Sequence, residues 1–424
     1  MRLVISLCLL LALLATGIPY FMGQQVEQRW QALDAGATPA AAHAVQLQES
    51  QHQRGWWSSA HQAVLMLTAL PGQFQLQQNL KHGIWPLWAP QIETRLTPDA
   101  AAAAHLAHWL DAVGTLHILT TVRANTQFDS ELVWAAGNSD APPRLTGQLQ
   151  VDPLRTRSQG QFQLSQMQWP SKLALQQLGL DFKLAQQDEG LDGDWTFRVA
   201  QAHWQLPPLP SLSATDWQQQ GQLQQRDRLL TVDWQLSGKQ WQLSDLQGSV
   251  QVQLHSAQLD LGVLQKLLAL LQVPARQREY QLPLLFLQEG TRFLQQAPLL
   301  KLNQFKVSSN FGDFSLRLQA QASAAADGTA PNFFQLLQAA NVTGEVSVAE
   351  PLWQRLLAIH LYASAQAPSE AAADELAAAQ LAPIWAALQQ QGYLRRVNDN
   401  WQASFTWTAG HWLINQRPWP PTSP

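Results

Sequence analysis

Between Leu246 and Leu254, apolar and polar residues alternate without a break. Leu246, Gly248, Val250, Val252 and Leu254 are interleaved with Gln247, Ser249, Gln251 and Gln253. The same rhythm runs through Leu145, Gly147, Leu149 and Val151, and through Leu230, Val232, Trp234 and Leu236. Successive side chains of a strand point to opposite faces, so each segment carries one dry face and one wet face. That pattern predicts antiparallel sheet rather than helix. Phe314, Leu316, Leu318 and Ala320 predict a further strand of this kind. Between Trp195 and Leu206 the phase slips, with Trp195, Phe197 and Val199 giving way to Ala202, Trp204 and Leu206. One extra residue flips the face, which predicts a bulge or a strand crossing over.

Other segments follow from local signals. Val45–Gln53 and Ala60–Leu70 read as an antiparallel pair, and Phe74–Leu80 as a strand after the Pro71-Gly72 turn. Pro98–Val113 reads as a helix, with Thr97 as N-cap, Pro98 at the first helical position and Gly114 at the end. Helices are also expected over Leu261–Leu271, Leu284–Gln296, Asn332–Ala339 and Pro351–Tyr362. Ser369–Gln391 reads as one or two helices, with Pro383 at a break. Strands are expected over Leu299–Val307, Trp401–Thr408 and Trp412–Asn415. Ala322–Thr329 reads as a loop and Arg417–Pro424 as a frayed tail.

The run Leu3–Met22 is apolar over about 20 residues, enough as a helix to cross a hydrocarbon core of roughly 30 Å. Arg2 on the short leading side orients the remainder across the membrane. A cleaved signal peptide with Leu3–Leu14 as its core is the rival reading. The continuation through Ile18, Tyr20, Phe21 and Met22 favours a retained anchor. The expected fold is therefore β-rich α+β: a single N-terminal transmembrane helix, then an elongated, mostly antiparallel, curved β-sheet body with helices covering part of it. The expected division is an anchor over 1–23, a juxtamembrane helix and linker over 24–42, and a β-rich body over 43–424.

Cys8 is the only cysteine and lies inside the apolar run, so intramolecular disulfides, thiolate metal sites and cysteine catalysis are excluded. Charged residues make up 13% of the chain, and glutamine about one residue in seven. With a net charge of −4 and scattered basic residues, the footprint of a nucleic-acid binder is missing. The 19 tryptophans either fill a thin core or line a surface for apolar ligands.

Catalytic motifs are equally scarce. The sequence has no Gly-x-Ser-x-Gly elbow, phosphate-cradling loop or His-Glu-x-x-His. His105, His108 and Asp111 would share one helix face, an arrangement more often a polar surface than a metal site. Asp188, Glu189, Asp192 and Asp194 around Gly190 and Gly193 read as a solvated hairpin turn, and Asp216, Asp227 and Asp233 as isolated carboxylates. No catalytic, cofactor or metal residue is assigned, and no cofactor is expected.

Several segments, in order, resemble the YdgA-like family of bacterial envelope proteins. These are Gly23-Gln24-Gln25-Val26-Glu27, Arg54-Gly55-Trp56-Trp57-Ser58-Ser59-Ala60, His82-Gly83-Ile84-Trp85-Pro86, Leu259-Asp260-Leu261-Gly262, Gln296-Ala297-Pro298-Leu299-Leu300 and Asn310-Phe311-Gly312. The last is Thr408-Ala409-Gly410-His411-Trp412-Leu413-Ile414-Asn415, which the family usually continues with Gly where this chain has Gln416. The resemblance implies inner-membrane anchoring and a periplasmic body, and it supplies no catalytic residue. Arg54, Gly55, Trp56, Trp57, His82, Gly83 and Pro86 stand as candidate structural or contact residues. The expected function is a non-enzymatic envelope scaffold or binding surface, with lipids or envelope proteins as candidate partners. A lipid-carrying surface needs apolar side chains exposed along one concave sheet face. The alternatives are an envelope hydrolase with a dispersed site and a self-associating structural protein.

Overall fold

The alternating segments do form strands, and the chain divides into two compact units, residues 1–187 with 195–200 and residues 188–194 with 201–424. The computed structural model describes residues 45–54, 58–67, 72–81, 89–107, 114–123, 125, 127–134, 145–169, 173–187, 190–205, 207–271, 273, 275–322, 333–408 and 410–420. The expected anchor 1–23, the expected juxtamembrane helix and linker 24–42 and most of the expected loop 322–329 lie outside them. No helix among the described residues is long and apolar enough to cross a membrane.

The first unit is an antiparallel meander of β1 (Val45–Arg54), β2 (Ser58–Leu67), β3 (Gln73–Lys81), β4 (Gln91–Pro98), β5 (Leu116–Val122), β6 (Phe128–Trp134), β7 (Leu145–Asp152), β8 (Arg157–Trp169) and β9 (Leu173–Gln187). Each strand pairs with the next. The dry faces of β2 to β8 merge into one core, running from Leu65 and Leu76 to Leu132, Trp134 and Phe162. Helix α1 (Ala100–Ala107) adds Ala102 and Leu106 to it. Each fully buried Leu in such a core contributes roughly 1.5–3 kcal/mol. Gly147 lies beneath the Phe162 ring, where a Cβ would fall 2.4 Å from a ring carbon.

The expected start of α1 shifts. Thr97 and Pro98 finish β4, opposite Gln75 and Phe74, and Asp99 caps the helix by accepting from the Ala102 N–H at 2.7 Å. A short carboxylate at N-cap satisfies a donor that Thr97 cannot reach while it is held in the sheet.

β10 (Gly190–Trp204) runs unbroken across the phase slip. Its residues 195–200 cluster with the first unit, and 190–194 and 201–204 with the second.

The second unit contains β11 (Leu212–Arg226), β12 (Leu229–Leu243), β13 (Leu246–Asp260), α2 (Leu261–Leu271), α3 (Ala275–Gln295), β14 (Leu299–Ser309), β15 (Gly312–Gln321), α4 (Phe333–Ala339) and β16 (Asn341–Ala349). It continues through α5 (Glu350–Ala363), α6 (Glu370–Gln390), β17 (Arg395–Val397), β18 (Asn400–Thr408), β19 (His411–Ile414) and β20 (Arg417–Trp419). β11 to β16 pair consecutively, and β18 pairs β16 on one side and β17 then β19 on the other. α3 begins nine residues before the expected Leu284, because Ala, Arg, Gln and Glu form good helix without apolar periodicity. α6 is one helix that passes through Pro383. The carbonyl that Pro383 cannot bond belongs to Ala379, and both residues are exposed, so solvent can reach it.

Two ties hold helices in place. Arg355 on α5 donates to Asp245 in the β12–β13 turn and to Asp374 on α6, both at 2.9 Å. Asp260 accepts from the Val263 N–H at the start of α2 and pairs with Arg292 of α3 at 2.8 Å. Burial pushes the Asp260 pKa up, but these donors outweigh it and the net shift is downward.

The expected frayed tail is instead partly a strand, since β20 pairs with β19 through a two-residue turn. Asn415 (φ 47°) and Gln416 (φ 66°) are both left-handed, as a type I′ hairpin requires. Gln416 thus occupies the position where glycine costs least. Gln416→Gly should stabilise the β18–β20 edge by about 0.5–1 kcal/mol, read as slower hydrogen exchange at Trp412 to Ile414.

Candidate binding surface

Arg54 ends β1 opposite Ser59, while Gly55, Trp56, Trp57, His82, Gly83 and Pro86 lie outside the described residues. The described residues beside the two motifs, Ser58 and Lys81, are register partners on β2 and β3. Next to this end of the sheet, the inner face of the first unit turns polar. Ser59, His61, Gln78, Thr94, Thr120 and Ser130 are all buried. His61 Nε2 and Ser50 Oγ lie 2.9 Å apart, Gln78 Nε2 donates to Thr94 Oγ1 at 3.1 Å, and Thr120 and Ser130 share a bond of 2.8 Å. The His52 ring stands 6.2 Å from that of His61. Sequence reasoning missed this stripe, although β2 reads Ser59, His61, Ala63, Leu65, Leu67 in strict alternation.

A serine hydroxyl beside an imidazole has the outline of a nucleophile and its base. Burial first, and then the neighbouring His52, lowers the His61 pKa to about 4. A general base works best with a pKa near the working pH, so this imidazole is a poor one. The stripe is better read as a partly paired polar ladder, in which both His52 ring nitrogens are buried without a hydrogen-bond partner among the described residues. Among the described residues no three His, Cys, Asp or Glu side chains gather as a metal site. His105 is on α1, while His108 and Asp111 lie outside the described residues. Asp192 pairs with Arg226, Asp216 with Lys239 and Asp233 with His255, so these carboxylates are surface ion-pair partners.

The dry face of the second unit is built differently. Cross-strand register aligns its apolar residues into rows perpendicular to the strands. One row is Gly238, Val250, Val307, Phe314, Val348 and Trp401. Helices cover it: Leu352 and Ile359 of α5 pack with Leu246, Ala349 and Phe314, and Trp385 of α6 stacks on Trp401 at 5.5 Å. The next row is Leu236, Val252, Phe305, Leu316, Val346 and Ala403, and the one beyond is Trp234, Leu254, Leu302, Leu318, Gly344 and Phe405. Every residue of these two rows is only half-buried. Past them, Leu300 and Trp412 are exposed.

The register survives an extra residue in β14 between Leu302 and Phe305, which lets Leu302 and Phe305 both face the dry side. The rows cross six strands, about 24 Å from β12 to β18, longer than the roughly 15 Å of hydrocarbon in one leaflet. A contiguous apolar surface that stays partly accessible to solvent is characteristic of a binding site. The tryptophans divide accordingly: among the described residues only Trp134 and Trp401 are core residues, while Trp204, Trp353, Trp412 and Trp419 are exposed. Two hollows in this sector are lined mostly by residues of the polar face. The apolar rows themselves are partly open to solvent.

The chain belongs to a bacterial protein family of unknown function, DUF945, whose model matches residues 1–422. No curated protein and no solved structure matches the sequence.

Proposed function

We propose that this family member is a non-enzymatic cell-envelope protein of the YdgA-like kind. The run Leu3–Met22 anchors it in the bacterial inner membrane, and the body stands in the periplasm. There the half-open rows of the second unit receive an acyl chain or another apolar envelope component. The observation that carries this reading is the pair of six-residue apolar rows left half-exposed beside a row that helices do cover. Leu, Phe and Val side chains in such rows gain from every methylene laid on them, by about 0.8 kcal/mol per buried group.

The test is mass spectrometry of lipids that co-purify with the detergent-extracted chain. Lipid above background is expected, and Leu316→Glu in the middle row should cut it at least five-fold. Leu119→Glu, at an exposed position of β5 in the first unit, should leave it unchanged. Equal lipid in the wild type and the Leu316 variant, or none above background, would count against the surface. Protease added to spheroplasts should digest the body; a protected body would refute the compartment.

A further inference from the structure

The wet face behind the apolar rows carries two adjoining hollows, of about 410 Å³ and 500 Å³, that share Arg317, Glu345 and Ser404. Register explains how they are lined. Arg395 on β17 stands opposite Gln402, then Ser347 on β16 and Ser315 on β15. One step along the strands, Ser404, Glu345 and Arg317 form the next row. Arg395 and Arg317 are thus about 16 Å apart along the backbone, three strand spacings and one two-residue step. Both line the smaller hollow, approaching it from opposite sides. Lys301 lines the larger one.

Many guanidinium groups elsewhere in the described residues find carboxylates: Arg95 with Glu93, Arg198 with Asp181, Arg226 with Asp192, Arg292 with Asp260, Arg355 with Asp374 and Arg396 with Glu350. Arg317 and Arg395 have no ion-pair partner among the described residues. Glu345 is the cross-strand neighbour of Arg317, yet no ion pair joins them within 4 Å. Two free guanidinium groups converging on serine hydroxyls suit an oxyanion, because their forked donors match phosphate and carboxylate oxygens. The free Glu345 between them suits a hydrogen-bond donor on the same ligand. A hollow of this size is in the range of small-molecule sites.

We propose that this polar hollow binds a small hydroxylated oxyanion, with Arg317 and Arg395 holding its phosphate or carboxylate and Glu345 accepting from a hydroxyl beside it. The site is on the face opposite the apolar rows and does not depend on lipid binding. The test is calorimetry on the detergent-extracted full chain with glycerol 3-phosphate, glucuronate and neutral glucose as probes.

Glycerol 3-phosphate or glucuronate should bind and glucose should not. The stronger of the two probes identifies phosphate or carboxylate as the preferred group. Arg317→Met and Arg395→Met should each weaken binding at least ten-fold, while Arg228→Met, which removes a guanidinium from the β11–β12 turn, should not. Glu345→Gln should tighten inorganic phosphate and weaken glycerol 3-phosphate. Absence of binding by both anions, equal binding of glucose, or equal loss in the Arg228 variant would overturn the proposal.

Discussion

Acidification from pH 6.5 to pH 4 should cost the first unit about 3 kcal/mol of stability through His61 alone. The unfolded imidazole takes a proton near pH 6.5, whereas the folded one, 3% exposed, resists until about pH 4. Above pH 6.5 both states are neutral and the residue makes no difference. Between the two values the unfolded state binds more protons, so stability falls with falling pH, and the loss is complete below about pH 4. The groups facing the ring cannot rescue it: Ser50 and Gln78 are neutral, and a charge on His52 would only repel a second one. Carboxylates with lowered pKa values, such as Asp260 and Glu93, lose their contribution only as the pH falls through and below their ordinary values near 4. Urea midpoints between pH 6.5 and pH 5, read by hydrogen exchange at β2 and β3 amides, isolate His61. His61→Gln keeps a partner for Ser50 without a titrating group, and its midpoint should be flat in that window. An equally steep fall in the variant would sink the assignment.

The strands were legible because their alternation is local. β7 and β15 begin and end within two residues of the alternating runs, while β12 and β13 begin with them or one residue earlier and continue six or seven residues beyond. What was not legible depended on partners. β17 and β20 are three residues each, too short to show a period, and exist because β18 and β19 offer them an edge. Pro418 in β20 has no N–H to give, yet an edge strand tolerates it. Thr97 looked like a cap until pairing with Gln75 claimed it for β4. The apolar face of each strand could be read one strand at a time. Whether Leu316 lies beside Phe305 and Val346, and whether a helix lies over them, is settled by register across distant segments and by where Arg355 ties α5 and α6. The polar hollow was hidden for the same reason, since Arg317 and Arg395 are far apart in sequence and separated by three strand spacings in the sheet.

Truncating one leucine in each unit should separate a closed core from an open face. Leu132, 1% exposed, is surrounded by the merged dry faces of β2 to β8, so Leu132→Ala loses transfer free energy and also leaves a cavity that its neighbours cannot fill. The expected cost is about 3–4 kcal/mol. Leu318 sits in the outer open row, half-buried between Leu302 and Gly344. Solvent reaches the space its side chain would vacate, no cavity forms, and Leu318→Ala should cost about 1 kcal/mol. The comparison uses the same chemical change in the same kind of antiparallel sheet, so the difference reports only what lies over the side chain. Urea midpoints of the two variants, read by hydrogen exchange in β6 and β15, supply both numbers. Equal costs would mean that the second unit's rows are covered in solution, and a surface already covered has no room to receive an apolar ligand.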